Sequence, residues 1–93
     1  MKMNQTLPMK VAVLREHEVY GYRIAVHLLQ DEAKATAAAK EALLELYETE
    51  AFFSQPARQQ QQTVNRVFIK YSLMAYRTML HQQVKSAAHD PFH

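Results

Sequence analysis

Three cationic side chains follow one another at helical spacing in the last third of this 93-residue chain. Arg66, Lys70 and Arg77 fall on one side of a predicted helix, and Tyr76 lies beside them. Cations in a row can contact successive phosphates, and a tyrosine ring can stack on a base. The pattern predicts a nucleic-acid contact, but the same spacing suits the solvated edge of an amphipathic helix. Both interpretations stay open on the sequence alone.

A second group of side chains that could do chemistry consists of three carboxylates at helical spacing, Glu41, Glu45 and Glu48. Carboxylates arranged in this way bind metal ions in helical bundles, together with a Glu-x-x-His pair. The sequence contains no such pair, which favours a solvated charged face. Segment 89–93 contains two of the five histidines around one Asp, but an open tail would hold a metal only loosely. We expect no bound metal and no cofactor.

The remaining residues capable of catalysis are scattered. Ser, His and Asp form no nucleophile motif, and a single Gly excludes the glycine-rich phosphate loops. The absence of Cys removes disulfides, thiolate metal sites and cysteine nucleophiles. His17 and His27 are most simply polar positions on the first predicted helix. We therefore expect that the protein is not an enzyme.

The composition is typical of a small helical domain. A chain with 48% hydrophobic residues can form one modest core, and one Gly and three Pro among many Ala, Leu, Gln and Glu favour an all-helical fold. The formal net charge of +2 is too small to establish a nucleic-acid partner. The chain lacks Cys, a signal-peptide core and an apolar run of about 18 residues, so we expect a cytoplasmic protein without membrane contact.

The rest of the chain is organised around a predicted helix over residues 58–83, a segment without Gly or Pro. Two apolar rows follow this helix on different sides at three- and four-residue steps. The first row contains Val64, Phe68, Tyr71, Ala75 and Met79. The second row contains Ile69, Leu73, Tyr76 and Leu80. A helix with two apolar sides needs two partner surfaces. The second row is therefore expected either to contact the first helix or to form an oligomer interface.

The first helix is predicted to begin at Thr6, which is followed closely by a proline. Glu18 interrupts its apolar face, and Gly21 costs about 1 kcal/mol relative to Ala in a helix. We expect a kink or a short break within residues 15–21. A strand over residues 9–14 is the competing interpretation, but no hairpin turn supplies it with a partner. The face expected to be apolar consists of Val11, Leu14, Tyr22, Ala25 and Leu29.

The second helix is predicted over residues 32–50, with Asp31 as its N-cap. Its buried face contains mainly small residues, namely Ala35, Ala38, Ala39, Ala42, Leu43 and Leu46. Phe52 and the phenylalanine after it are expected in a loop that packs into the core, and Ser54 is expected to cap the last helix.

The predicted architecture is a single all-α domain over residues 1–93. It is a small bundle of three main helices, of which the first is broken or kinked. Residues 1–5 and 86–93 are expected to be mobile, and Pro91 to end any helix.

One segment carries a resemblance to a known family. Its sequence is VYGYRIA at 19–25 and LLQDEAKA at 28–35. This run resembles region 2 of bacterial RNA polymerase sigma factors, chiefly the extracytoplasmic-function type, in which an aromatic-rich helix ends in a Leu-Leu-Gly-Asp turn. The resemblance extends over residues 19–77. Further matching positions are Ala35, Glu41, Leu43, Leu46, Tyr47 and Arg77.

The chain also departs from the family pattern. The Asp and Gln with which the family grips the polymerase core correspond to Ala37 and Lys40, and a later Asn and Asp correspond to Lys70 and Met74. Segment 52–62 is short and lacks tryptophan, and we expect no second DNA-binding domain after it. We expect that full promoter recognition is lost.

The resemblance implies a binding module of the transcription apparatus that acts as a partial sigma subunit, a regulator or a decoy. In the family, the outer face of the second helix docks on a coiled coil of the largest RNA polymerase core subunit. Here that face would consist of Lys40, Glu41, Leu44, Glu45 and Glu48. The alternative is a homo-oligomeric helical interaction module without a polymerase connection, such as a homodimer through the second row.

Overall fold

The computed structural model describes the backbone of residues 2–89 and the side chains of residues 7–84. In this part of the chain the elements are α1 (Lys2–Leu29), α2 (Glu32–Glu48), α3 (Glu50–Ser54) and α4 (Ala57–His89). Helices α1, α2 and α4 all pack on one another, which confirms the predicted all-α bundle of three main helices. Within residues 2–89, no helix combines the length and apolar character needed to cross a bilayer.

The bundle is elongated, with extents of 65 × 23 × 19 Å. Helices α1 and α4 run in parallel, because Gly21 lies against Phe68 and, further along both helices, Met79 packs on the cluster that contains Ala25 and Leu29. Helix α2 leads from the end of α1 back to the start of α4 and is therefore antiparallel to both.

The core lies along the first apolar row of α4, as predicted. Val64 and Phe68 are fully buried, and the three later members of the row are partly buried. Leu46 of α2 is also fully buried. The alanine face of α2 lets α1 and α4 approach closely, which is confirmed by the burial of Ala35, Ala38, Ala39 and Ala42. Leu43 is only partly buried.

Asp31 is the N-cap of α2, as predicted. Its carboxylate accepts a hydrogen bond of 2.9 Å from the backbone N–H of Lys34, which satisfies a free amide of the first turn. Before it, Gln30 adopts a left-handed backbone with φ of 52° and donates its N–H to the carbonyl of Val26. This pair of residues makes the sharp reversal between α1 and α2.

Helix α1 differs from its prediction in three respects. It begins before Thr6 and continues through Pro8, because the preceding residues include good helix formers such as Lys, Met and Gln. It is helical over residues 9–14, where a strand was the alternative. It is also unbroken over residues 15–21, since the ring of Phe68 fills the space beside Gly21 and packing offsets the poor helix propensity.

The connection from α2 to α4 also differs from its prediction. Helix α2 ends at Glu48 because Thr49 turns to an extended backbone and its hydroxyl donates to the carbonyl of Glu45. The expected loop around Phe52 is the short helix α3, although Phe52 itself is fully buried as predicted. Ser54 belongs to α3 and does not cap α4, which begins directly after Pro56.

The ends of the chain are more helical than expected. Residues 2–5 belong to α1, and residues 86–89 belong to α4, because the two alanines in the latter segment favour a helix. The predicted helix stop at Pro91 lies outside the described residues.

Candidate interaction surfaces

The second row of α4 faces solvent. Ile69, Leu73, Tyr76 and Leu80 are 40%, 47%, 42% and 43% exposed. Their alternating four- and three-residue steps keep them on one face, and this face is opposite to the buried row. The spacing is also that of the contact positions of a coiled coil. The structure thus places these residues on an accessible face of α4, and the first helix does not bury them.

Helix α1 borders this row at one end only. Tyr20, Ile24 and Ile69 line a shallow, mostly apolar groove between α1 and α4, together with Arg23, His27 and Leu28. Leu80 is 43% exposed and does not line this groove. We call the four residues Ile69, Leu73, Tyr76 and Leu80 the α4 row.

The three cations predicted to contact nucleic acid lie beside the α4 row, but they are not equivalent. The ammonium group of Lys70 donates to Glu45 Oε1 at 2.6 Å and lies 4.8 Å from the ring centre of Tyr71. Arg66 and Arg77 are exposed and make no ion pair within residues 7–84. Only two of the three predicted cations therefore remain free for a partner.

Glu45 differs from the sequence interpretation, which placed it on the outer face of α2. Its side chain is turned toward α4, where it also accepts a hydrogen bond of 2.7 Å from the Tyr71 hydroxyl. The hydrogen bonds from Lys70 and Tyr71 lower the pKa of Glu45, because they stabilise its ionised form. The bond to Glu45 raises the pKa of Tyr71, since the phenol must keep its proton to donate. Glu45 thus joins two helices.

The other four residues of the predicted polymerase-docking face are exposed on α2. Leu44 is 52% exposed, and Lys40, Glu41 and Glu48 lie around it. Leu44 lies on the opposite side of the helix from Ala42 and Leu46, which are buried. We call Leu44, Glu41 and Glu48 the α2 face.

A second shallow groove separates α2 from α1 on the other side of the bundle. It is lined by Val19, Tyr22, Ala39 and Leu43, with Glu18 and Lys40 at its edges. The groove is open and mostly apolar, and none of its lining residues offers a nucleophile paired with a base. It extends the apolar surface next to Leu44 and does not resemble a catalytic cleft.

Two buried polar residues of α1 were missed in the sequence. Lys10 is 8% exposed, forms an ion pair with Glu50, and lies 5.0 Å and 5.2 Å from the ring centres of Tyr47 and Phe53. Its four-carbon stem packs against these rings while the ammonium group reaches the carboxylate.

His17 is 9% exposed, whereas the sequence interpretation identified it only as a polar position on the first helix. Its ring meets the edge of Phe52 at 6.0 Å, and its Nε2 has no hydrogen-bond partner among the described residues. The available signal was the spacing, since His17 and Gly21 continue the row of Leu14, Ala25 and Leu29. His27 is exposed, as expected of a polar position.

No cluster of three or more His, Asp or Glu side chains that could hold a metal ion occurs among the described residues. The proposed cluster around His89 lies outside the described side chains. Glu41 and Glu48 remain on the outside of α2 while Glu45 is bonded to α4, so these three carboxylates do not converge.

No protein-family model matches this chain, and no curated protein or solved structure matches it. The resemblance to sigma factor region 2 therefore stays a prediction. Function is therefore inferred from the exposed surfaces, namely the α4 row and the α2 face.

Proposed function

We propose that this protein is a self-associating helical interaction module whose main docking surface is the α4 row. The observation that carries the proposal is the exposure of four large apolar side chains, at 40–47%, in one line on the face opposite the core. Contiguous exposed apolar groups rimmed by charge are typical of protein interaction sites. The spacing of the row also fits the packing of another helix against it.

A protein partner suits this surface better than a nucleic acid does. Nucleic-acid binding without base readout depends on several cations that are free to contact phosphates. Lys70 is bonded to Glu45, which leaves Arg66 and Arg77 beside a surface that is mainly aliphatic. Aliphatic side chains contribute to binding when another protein removes them from water.

The proposal is tested by sedimentation velocity over a wide concentration range. Wild type should form oligomers, and Leu73→Glu should be a folded monomer, because a carboxylate at the centre of the row would have to be buried. Leu7→Glu is the matched control, since Leu7 is 54% exposed and lies near the start of α1, far from the row. Wild type that stays monomeric at millimolar concentration contradicts the proposal.

A second candidate function is binding to the RNA polymerase core through the α2 face. The supporting observation is Leu44, which is 52% exposed between the exposed carboxylates Glu41 and Glu48. Leu44 would supply apolar anchoring, and the carboxylates would orient the encounter. The family's gripping Asp and Gln are absent, so binding should be weaker than that of a complete sigma factor.

The polymerase candidate is tested by retention of purified bacterial core polymerase on the immobilised protein. Leu44→Arg should abolish retention without unfolding the chain, because the side chain points away from the core. Leu7→Arg should retain polymerase like wild type. Failure of wild type to retain polymerase, or full retention by Leu44→Arg, removes this candidate.

A further inference from the structure

We propose that copies of this chain associate head to tail, with the α2 face of one copy docked on the α4 row of the next. This inference rests on the proposed function, since it names the partner of the α4 row. The two surfaces belong to different helices of the same molecule, and their chemistry is complementary.

The α4 row is apolar with a positive rim. Residues 57–89 contain five Lys or Arg residues and no carboxylate. Arg66 and Arg77 lie along one side of the row and are exposed. On the other side, the groove with α1 brings in Arg23 and His27. Glu16 is the acidic residue of α1 nearest to this flank, and it lies one turn before Tyr20, away from Leu80.

The α2 face is apolar at its centre with a mainly negative rim. Residues 31–50 contain six carboxylates and two lysines. Leu44 lies at the centre, with Glu41 and Glu48 beside it on the same helix face. Lys40 is the one cation next to Leu44. Ala33 and Ala37 lie further along the outer side of the helix, and their small side chains let another helix approach closely.

Pairing of the α4 row with its own copy is disfavoured by charge. In an antiparallel two-fold pair, each flank meets the same flank of the partner, so the free guanidinium groups of Arg66 and Arg77 face those of the partner. In a parallel pair, this flank meets the other one, where Arg23 lies. Both arrangements place cations against cations, and no carboxylate of α4 can compensate because the helix has none.

When the α4 row docks on the α2 face of another copy, the cations beside the row meet carboxylates instead of cations. Leu44 can enter the α4 row between Ile69 and Leu73, while Glu41 and Glu48 meet the free guanidinium groups of Arg66 and Arg77. The internal pair of Glu45 and Lys70 is left intact, because Glu45 is turned toward its own α4. Opposite charges at the rim speed encounter and fix the orientation of the two partners.

This contact joins two different surfaces and is therefore heterologous. An open assembly of any size keeps one free α2 face at one end and one free α4 row at the other, unless a ring closes. Assembly should thus grow with concentration beyond the dimer, or stop at a ring of fixed size. A two-fold homodimer through the α4 row would stop at two copies.

The decisive experiment mixes two defective variants and measures mass by sedimentation velocity. Leu73→Glu destroys the α4 row and keeps the α2 face, whereas Leu44→Arg destroys the α2 face and keeps the α4 row. Each variant alone should be a monomer, with association at least about 30-fold weaker than wild type, as expected for a central apolar anchor. An equimolar mixture should form a 1:1 heterodimer, because one intact α2 face meets one intact α4 row.

The outcomes distinguish self-association through the α4 row from head-to-tail docking on the α2 face. Leu44→Arg that assembles like wild type overturns head-to-tail docking and leaves self-association through the α4 row standing. Wild type that is monomeric, or Leu73→Glu that still assembles, overturns the proposed function and this inference together. A mixture that stays monomeric overturns the inference alone. Circular dichroism checks that each variant is folded. If Leu73→Glu unfolds, Leu80→Glu replaces it, and if Leu44→Arg unfolds, Glu48→Lys replaces it. Leu7→Glu is the control and should assemble like wild type.

Discussion

The contact between Gly21 and Phe68 gives the sharpest test of the packing. A Cβ atom added at Gly21 would lie 2.4–2.6 Å from three ring atoms of Phe68. Carbon atoms in good contact are about 3.5–4.0 Å apart, so the ring or the helix would have to move by about 1 Å. Phe68 is fully buried and has no free space to move into. Gly21→Ala should therefore strain the interface between α1 and α4.

Two opposing effects set the size of the change. Alanine in place of glycine stabilises a helix interior by about 1 kcal/mol. Overpacking a filled core costs about 1–3 kcal/mol. Gly21→Ala should thus reduce the free energy of unfolding by up to about 2 kcal/mol. In a Phe68→Leu background the three clashing ring atoms are gone, and the same substitution should become stabilising by up to about 1 kcal/mol.

The assay is urea unfolding followed by circular dichroism for wild type, both single variants and the double variant. The coupling free energy should be about 1–3 kcal/mol, well above the roughly 0.5 kcal/mol of independent sites. Ala12→Gly, at an exposed position of the same helix, measures the propensity effect without a packing contact. Additive effects, or stabilisation by Gly21→Ala alone, would show that Phe68 does not occupy the space beside Gly21.

Two other predictions concern α2. Leu46→Ala should lower the free energy of unfolding by about 2–5 kcal/mol because Leu46 is fully buried, whereas Leu44→Ala, at a half-exposed position, should cost less than about 1 kcal/mol. Equal losses in chemical denaturation would mean that the two faces are exchanged. Glu45→Gln should lower the unfolding free energy at pH 7 by about 1 kcal/mol or less, as is usual for an exposed pair. Because Lys70 and Tyr71 lower the pKa of Glu45 below its ordinary value of 4.5, this stabilisation is present above that value and is lost as pH falls through the lowered one. The unfolding free energies of wild type and Glu45→Gln should therefore converge as the pH falls below 4.5 and through the lowered pKa, and a difference that stays constant during this acidification would contradict the assignment.

Local patterns predicted much of the fold. Asp31 was identified as a cap from its position before an acidic first turn, and the buried rows of α2 and α4 followed from helical periodicity. These features depend on residues within a few turns of one another. The sequence of a single helix contains that information.

The middle of α1 could not be predicted in the same way. Lys10, His17 and Gly21 look polar or flexible, yet all three lie on the buried side of the helix. Their burial depends on distant residues, since Lys10 pairs with Glu50, which is 40 positions away. Helical periodicity does not show which distant groups will cover a polar side chain.

The candidate surfaces were predicted in part. Leu44 and the α4 row were identified as apolar residues among charged ones, and the structure shows that all of them are exposed. The bond between Glu45 and Lys70 was missed because it joins two helices that are far apart in sequence. That bond removes one residue from each of two predicted binding sets.

The separation of charge between α2 and α4 is not required by the fold. Within residues 7–84, the ion pairs are those of Lys70 with Glu45 and of Lys10 with Glu50. Exposed ion pairs contribute at most about 1 kcal/mol each to stability. The stabilisation from these two pairs therefore does not explain why α4 contains no carboxylate. Nor does folding account for the α4 row, since polar residues at those positions would suit a monomer better. An apolar row with a positive rim, on the same molecule as an apolar centre with a negative rim, is the arrangement that the proposed head-to-tail docking requires.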